Sequence, residues 1–117
     1  MKLSSIYTTL QDVVNDIQAK YRNHLEDFFV TENMKVIEIH NIRVKDEFQN
    51  KGIGTDILNM LKEYSKTCNR PIVLTAEADR RKKGRLIEFY KSNDFKKPGR
   101  RRNYSYPHHS HIWRPES

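Results

Sequence analysis

Gln49-Asn50-Lys51-Gly52-Ile53-Gly54-Thr55 stands between a β-prone run and an amphipathic one. Ahead of it, Val36-Ile37-Glu38-Ile39-His40-Asn41-Ile42-Arg43-Val44 is rich in β-branched residues and reads as a strand. After it, Ile53, Ile57, Leu58, Met60, Leu61 and Tyr64 recur at helical spacing up to Lys66, and Asn69-Arg70-Pro71 stops the helix. A strand, a tight glycine turn and a helix N-terminus present free backbone N–H groups at the positive end of a helix dipole, which suits a pyrophosphate. Gly52 and Gly54 let the backbone approach closely. A purely structural turn before a helix would use the same two residues. The stretch lacks the Gly-Lys-Ser/Thr ending of a nucleoside-triphosphatase loop and the third glycine of a dinucleotide fold. CoA remains as the phosphate ligand that fits.

Working outward, Phe28-Phe29-Val30 is a short β-prone run, and a turn at Glu32-Asn33 and Lys35 joins it to the longer strand as an antiparallel hairpin. Strict alternation would set Val36, Glu38, His40, Ile42 and Val44 on one face, so that this face meets a cleft as well as a core. Leu3, Ile6, Tyr7, Leu10, Val13, Val14, Ile17 and Tyr21 form one apolar stripe, which predicts an amphipathic helix from Ser4 to about Asn23 within an N-terminal segment 1–25. Pro71 to Ala76 reads as a buried strand, and Leu86, Ile87, Phe89 and Tyr90 lie on a helix ending near Asn93, with Phe95 opening the next strand. Asn103-Tyr104-Ser105-Tyr106 and His111-Ile112-Trp113 are β-prone pieces separated at Pro107.

The 117 residues suit a single domain, 1–117, with a thin core; hydrophobic residues make up 36% and charged residues 32%. One cysteine, Cys68, rules out an intramolecular disulfide and with it a disulfide-built secreted scaffold. No stretch approaches the roughly 20 apolar residues that cross a bilayer, and Met1 to Leu10 has no signal-peptide pattern, so a cytoplasmic protein with no membrane partner is expected. The formal charge of +7 is concentrated in Arg80–Arg85 and Lys96–Arg102. Such runs are either solvated loops or weak binding surfaces for nucleic acid or another polyanion.

The motif Gln49-x-x-Gly52-x-Gly54 resembles the Gln/Arg-x-x-Gly-x-Gly/Ala signature of the GCN5-related N-acetyltransferases (GNAT), and Leu86-Ile-Glu-Phe-Tyr-Lys-Ser-Asn-Asp-Phe95 resembles that family's Phe-Tyr-x-x-x-Gly-Phe helix. The likeness runs over about residues 27 to 114, taken as the GNAT core, and the latter segment is also similar to very short phage-encoded acetyltransferases, one of them an anti-CRISPR. The resemblance implies an α/β GNAT fold, a mixed, mainly antiparallel sheet flanked by helices around a V-shaped opening, truncated at the N-terminus. It implies acetyl-CoA as co-substrate: pantetheine along Ile42, Arg43 and Val44, the pyrophosphate on Gln49, Asn50, Lys51, Gly52, Ile53, Gly54 and Thr55, and Tyr90 beside the thioester sulfur. Asp94 stands where the family usually has glycine.

Acyl transfer to an amine needs a base to free its lone pair, donors for the oxyanion and an acid for the leaving thiolate. By family position Tyr90 is the acid. Glu38, six residues before Val44, has a spacing similar to that of the catalytic glutamate of histone-acetylating members, and is the expected base. His40, two residues on, is the competing base or a substrate contact. Arg100-Arg-Arg-Asn-Tyr-Ser-Tyr106 resembles a stretch of ribosomal-protein-type N-terminal acetyltransferases whose tyrosines line a peptide groove, which makes Tyr104 and Tyr106 substrate contacts; the same residues would also suit base stacking. His24, His108, His109, His111 and Cys68 lack a paired-ligand spacing, so no metal is expected. The leading reading is an N-acetyltransferase acting on a protein amine, lysine or N-terminal. The rival is a catalytically weak CoA-fold protein that docks nucleic acid or an acidic partner through its basic C-terminal half.

Overall fold

Thr9 decides where the first helix begins. In the computed structural model, which describes residues 7–75, 80–97 and 111–115 (with the side chains of 80–84 outside the description), Thr9 is extended and its hydroxyl accepts the Asp12 N–H while the Asp12 carboxylate accepts the Thr9 N–H. This reciprocal cap satisfies two donors that the helix itself cannot. Helix α1 (Leu10–Tyr21) therefore starts six residues later than the apolar stripe predicts, and residues 1–6 lie outside the described part. Tyr7 still reaches the core, from outside the helix, with its hydroxyl donating to Asp16 Oδ2 (2.9 Å).

Strand β1 (Leu25–Glu32) turns into β2 (Ile37–Val44) through Asn33, whose side-chain oxygen accepts the N–H groups of Lys35 and Val36. Helix α2 (Ile53–Cys68) ends at Asn69, left-handed at φ 56°, ahead of Pro71. Strand β3 (Ile72–Leu74) is shorter than expected, and helix α3 (Arg80–Ser92) is longer at its start, so Arg80–Arg85 is helical and not a loop. Strand β4 (His111–Trp113) completes the set. Phe95 is a buried core residue, and among the described residues the pairing that follows it is a single bridge from Lys96 to Ile112.

The sheet order is β1-β2-β3-β4, antiparallel except for the parallel β2–β3 pair, the mixed and mainly antiparallel arrangement expected. One face carries the main core: Val13 and Ile17 of α1 and Ile57, Leu58, Leu61 and Tyr64 of α2 cover Val30, Ile37, Ile39, Ile72 and Leu74, with Tyr90 and Phe95 joining them. The other face holds a small cluster of Val36, Val73 and Ile112.

The ladder corrects the single-face reading of β2. Phe29 pairs with Asn41 and Val30 with Ile39, so His40 is an extra residue, a β-bulge. The bulge reverses the alternation: Ile37 and Ile39 before it and Ile42 and Val44 after it all pack on the main core. Glu38 stays on the opposite face, in the row Thr31–Glu38–Val73–Ile112.

Candidate active site

Strand β2 pairs with β3 only from Ile37 to Ile39, then runs on to Val44 while holding β1 along its other edge. The edge of Ile42, Arg43 and Val44 that faces away from β1 thus has no strand partner among the described residues. The His40 bulge lies where the two strands part.

From Val44 the chain makes a short 3-10 turn at Asp46–Phe48 and enters the glycine loop. Gln49 folds back, its Nε2 donating to the Val44 carbonyl (3.0 Å) and to Asp46 Oδ1 (3.2 Å). Its side chain therefore fastens the loop to the strand end. Asn50 (φ 64°) and Gly52 (φ 81°) are both left-handed, and Gly52 serves as N-cap of α2 with no side-chain acceptor on the first turn. The first helical bond runs from Asp56 N–H to Gly52 O (3.0 Å), so the N–H groups of Ile53, Gly54 and Thr55 open the helix. A Cβ on Gly52 would meet nothing within 4 Å, whereas one on Gly54 would lie 2.8 Å from Cζ of Phe89. The two glycines therefore do different work. Gly52 leaves open space in front of the helix, and Gly54 lets α3 pack against α2.

Lys51 and Thr55 are exposed beside that opening, and Ile53 is buried. Asp56, also in the first turn, accepts from Lys20 Nζ (2.8 Å) and Tyr21 Oη (2.5 Å) of α1. Burial works against ionisation of Asp56, but these two hydrogen bonds and the Lys20 charge prevail and hold its carboxyl below the usual range. A residue that sequence reasoning missed links the loop to α3: buried Asn93 donates to Phe89 O (2.9 Å) and, at 3.4 Å, to Thr55 Oγ1, while its own carbonyl accepts from Lys62 Nζ (2.6 Å). Its place two residues before Phe95 gives no sign of that role. Asp94 is left-handed at φ 72°, the conformation for which glycine is favoured and which aspartate tolerates.

Tyr90 lies on the core side of the sheet, 4% exposed, edge-on to Phe89 (5.1 Å between centroids) and Phe95 (5.5 Å), with His111 6.5 Å away. Burial pushes its phenol up to about 12, so at neutral pH it is an O–H donor. His111, considered in the sequence only as a metal ligand, is 3% exposed, and burial together with the Lys97 charge lowers its imidazole below the ordinary range.

Glu38 and His40 meet on the outer face. Glu38 Oε2 stands 4.0 Å from His40 Nδ1, and Thr31 Oγ1 is hydrogen-bonded to His40 Nε2 (2.7 Å). Phe29 stacks on the imidazole at 4.7 Å and 29°. Neither Thr31 nor Phe29 is legible as a neighbour of His40 in the sequence, because the pairing register of β1 with β2 sets them there and no local pattern marks it. Tyr104, Tyr106, His108 and His109 lie outside the described residues, as do the side chains of 80–84 and residues 98–102. Cys68 ends α2 partly buried, and among the described residues no cluster of metal-ligating side chains forms and no helix is long and apolar enough to cross a membrane.

A search of curated protein sequences finds no match. Among solved structures the chain is similar to Ard1 from Thermoplasma volcanium, with a TM-score of 0.51 at 15% identity over 95% of this chain and 82% of that one; the likeness is one of fold. The family model described as acetyltransferase (GNAT) domain matches residues 11–97, from the start of α1 through the glycine loop and α3 to the bridge at Lys96. Over that span β2 runs on past its pairing with β3, the glycine loop opens a helix without a side-chain cap, and the chain belongs to the GNAT acetyltransferase family.

Proposed function

We propose that the chain transfers an acetyl group from acetyl-CoA to a primary amine of a protein. GNAT domains use acetyl-CoA as co-substrate, and the residues present fit it. The uncapped N–H groups of Ile53, Gly54 and Thr55, the open space at Gly52 and the Lys51 charge would hold the pyrophosphate, and the edge of Ile42–Val44 that has no strand partner among the described residues would pair with the pantetheine amides. The observation that carries the reading is the GNAT family match over residues 11–97, which spans the uncapped glycine-loop opening of α2; Glu38 and His40 lie where β2 leaves β3, and Tyr90 lies on the core side.

In this reading Glu38 is the base and Tyr90 the donor to the leaving group. An aliphatic ammonium arriving at the outer face gives its proton to the Glu38 carboxylate, the freed nitrogen forms a bond to the thioester carbonyl carbon, and the carbonyl electrons move to oxygen. As the oxyanion collapses the carbon–sulfur bond breaks and its electron pair leaves on sulfur. The Tyr90 hydroxyl donates toward that thiolate, and with the phenol held up to about 12 it acts as a hydrogen-bond donor that need not surrender its proton. The second N–H proton of the attacking nitrogen passes to solvent, leaving a neutral amide.

The experiment is turnover of acetyl-CoA with an amine panel by wild type, Glu38→Gln, His40→Asn and Tyr90→Phe, each checked for acetyl-CoA binding. Glu38→Gln should bind normally and lose about 10²–10⁴-fold in kcat. Full activity in Glu38→Gln with loss in His40→Asn would transfer the base role to the histidine. Acetyl-CoA binding without turnover on any amine would leave the binding-only reading in its place.

A further inference from the structure

The glycine loop is bracketed by one short segment at the end of α1. On one flank the ring of Phe48, the residue before Gln49, lies 4.4 Å from the His24 imidazole, and His24 is edge-on to Tyr21 at 5.8 Å. On the other flank Asp56, in the first turn of α2, accepts from Tyr21 Oη (2.5 Å) and Lys20 Nζ (2.8 Å). Tyr21 therefore ties both flanks of the loop to α1. None of these contacts is made by Ile53, Gly54 or Thr55, whose N–H groups open the helix.

Asp56 stands where its charge has two opposed effects. A carboxylate in the first turn favours the helix, because it faces the positive end of the dipole. The same charge repels any anion drawn to that end. Asp56 is the acidic residue of that turn, and the N-cap Gly52 brings no side-chain acceptor. An unrestrained carboxylate here would compete with a pyrophosphate for the N-terminal end of α2. Both hydrogen bonds from α1 meet one oxygen, Oδ2, and draw the group toward α1, while the Lys20 ammonium offsets its charge. With Lys20 57% and Asp56 35% exposed, such a pair contributes little to folding. Its effect is on the field in front of α2.

We propose that Lys20 and Tyr21 are positioning residues for acetyl-CoA: they hold the Asp56 carboxylate against α1, keep it off the N-terminal end of α2, and leave that end to the pyrophosphate. This rests on the donor-site reading and adds to it two residues that touch neither the ligand nor the reacting atoms. Their contribution passes through Asp56, so it vanishes when position 56 carries no charge.

The test is calorimetric titration of the full chain with acetyl-CoA at about 0.15 M salt, where the Debye length of about 8 Å still spans a helical turn. Tyr21→Phe, which keeps the ring and changes no charge, and Lys20→Met should each raise Kd by about threefold or more. Asp56→Asn should bind at least as tightly as wild type, and in its background neither substitution should move Kd by as much as about twofold. A merely structural loss would persist in that background. Each variant is first checked for cooperative thermal unfolding, and Tyr21→Phe carries the test if Lys20→Met does not fold. A Kd that Tyr21→Phe leaves unmoved, or a rise of the same size in the Asp56→Asn background, overturns the proposal and leaves the donor-site reading standing. Absence of binding by the wild type removes that reading and the proposal with it.

Discussion

His111 is held neutral by its surroundings. Burial against Tyr90 and the charge of Lys97 put its folded pKa below the ordinary 6.5, so the unfolded chain takes up the proton first as pH falls. The sign follows: the fold keeps its full stability above about pH 6.5 and loses some of it as pH drops from there toward the folded value. Urea unfolding between pH 7.5 and 5.5, a window that leaves most carboxylates ionised, should show a decline that His111→Gln makes shallower, whatever that substitution does to stability at pH 7.5. An unchanged slope would mean that His111 takes no part in the acid sensitivity. The same burial sets the His111 ring against Tyr90.

Between elements, the contact that the glycine loop depends on is α2 against α3. The Phe89 ring occupies the space a side chain at position 54 would need, so Gly54→Ala forces the ring or the helix to move and should cost about 1–3 kcal/mol of unfolding free energy. Phe89→Leu in the same chain should recover part of that loss, which denaturant melts of the two single variants and the double variant would show. Element types were largely legible in the sequence: the stripe of Val13 and Ile17, the stop at Asn69-Arg70-Pro71 and the hairpin at Asn33 each state a local rule that the structure obeys. What failed was phase and extent. One extra residue at His40 inverts a two-residue period, and nothing local in Ile37–Val44 marks where that residue is inserted, since the bulge is set by pairing with β1. The Thr9 cap overrides an apolar stripe that continues upstream, because a helix begins where its first N–H groups find an acceptor. The glycine turn before α2 was readable in the sequence, but the division of labour between Gly52 and Gly54 required the tertiary contact with Phe89.

Over the whole molecule, charge is uneven: residues 25–44 of the hairpin carry four carboxylates against two Lys or Arg within a chain of formal +7. The proposed acetyl transfer would take place around the end of β2, with Glu38 on the outer face, Tyr90 on the core side and the glycine loop beyond Val44. Everything in this scheme depends on the chain binding acetyl-CoA through the glycine loop. Isothermal titration calorimetry with acetyl-CoA, paired with thermal unfolding, tests that dependence directly. Saturable one-to-one binding is predicted, with stabilisation of about 2.7 kcal/mol at a hundredfold excess over Kd. Because a substituent at position 52 enters the open space before α2 without touching Phe89, Gly52→Glu should abolish the binding while Gly52→Ala weakens it. No heat of binding and no shift in unfolding temperature at millimolar acetyl-CoA would contradict the account.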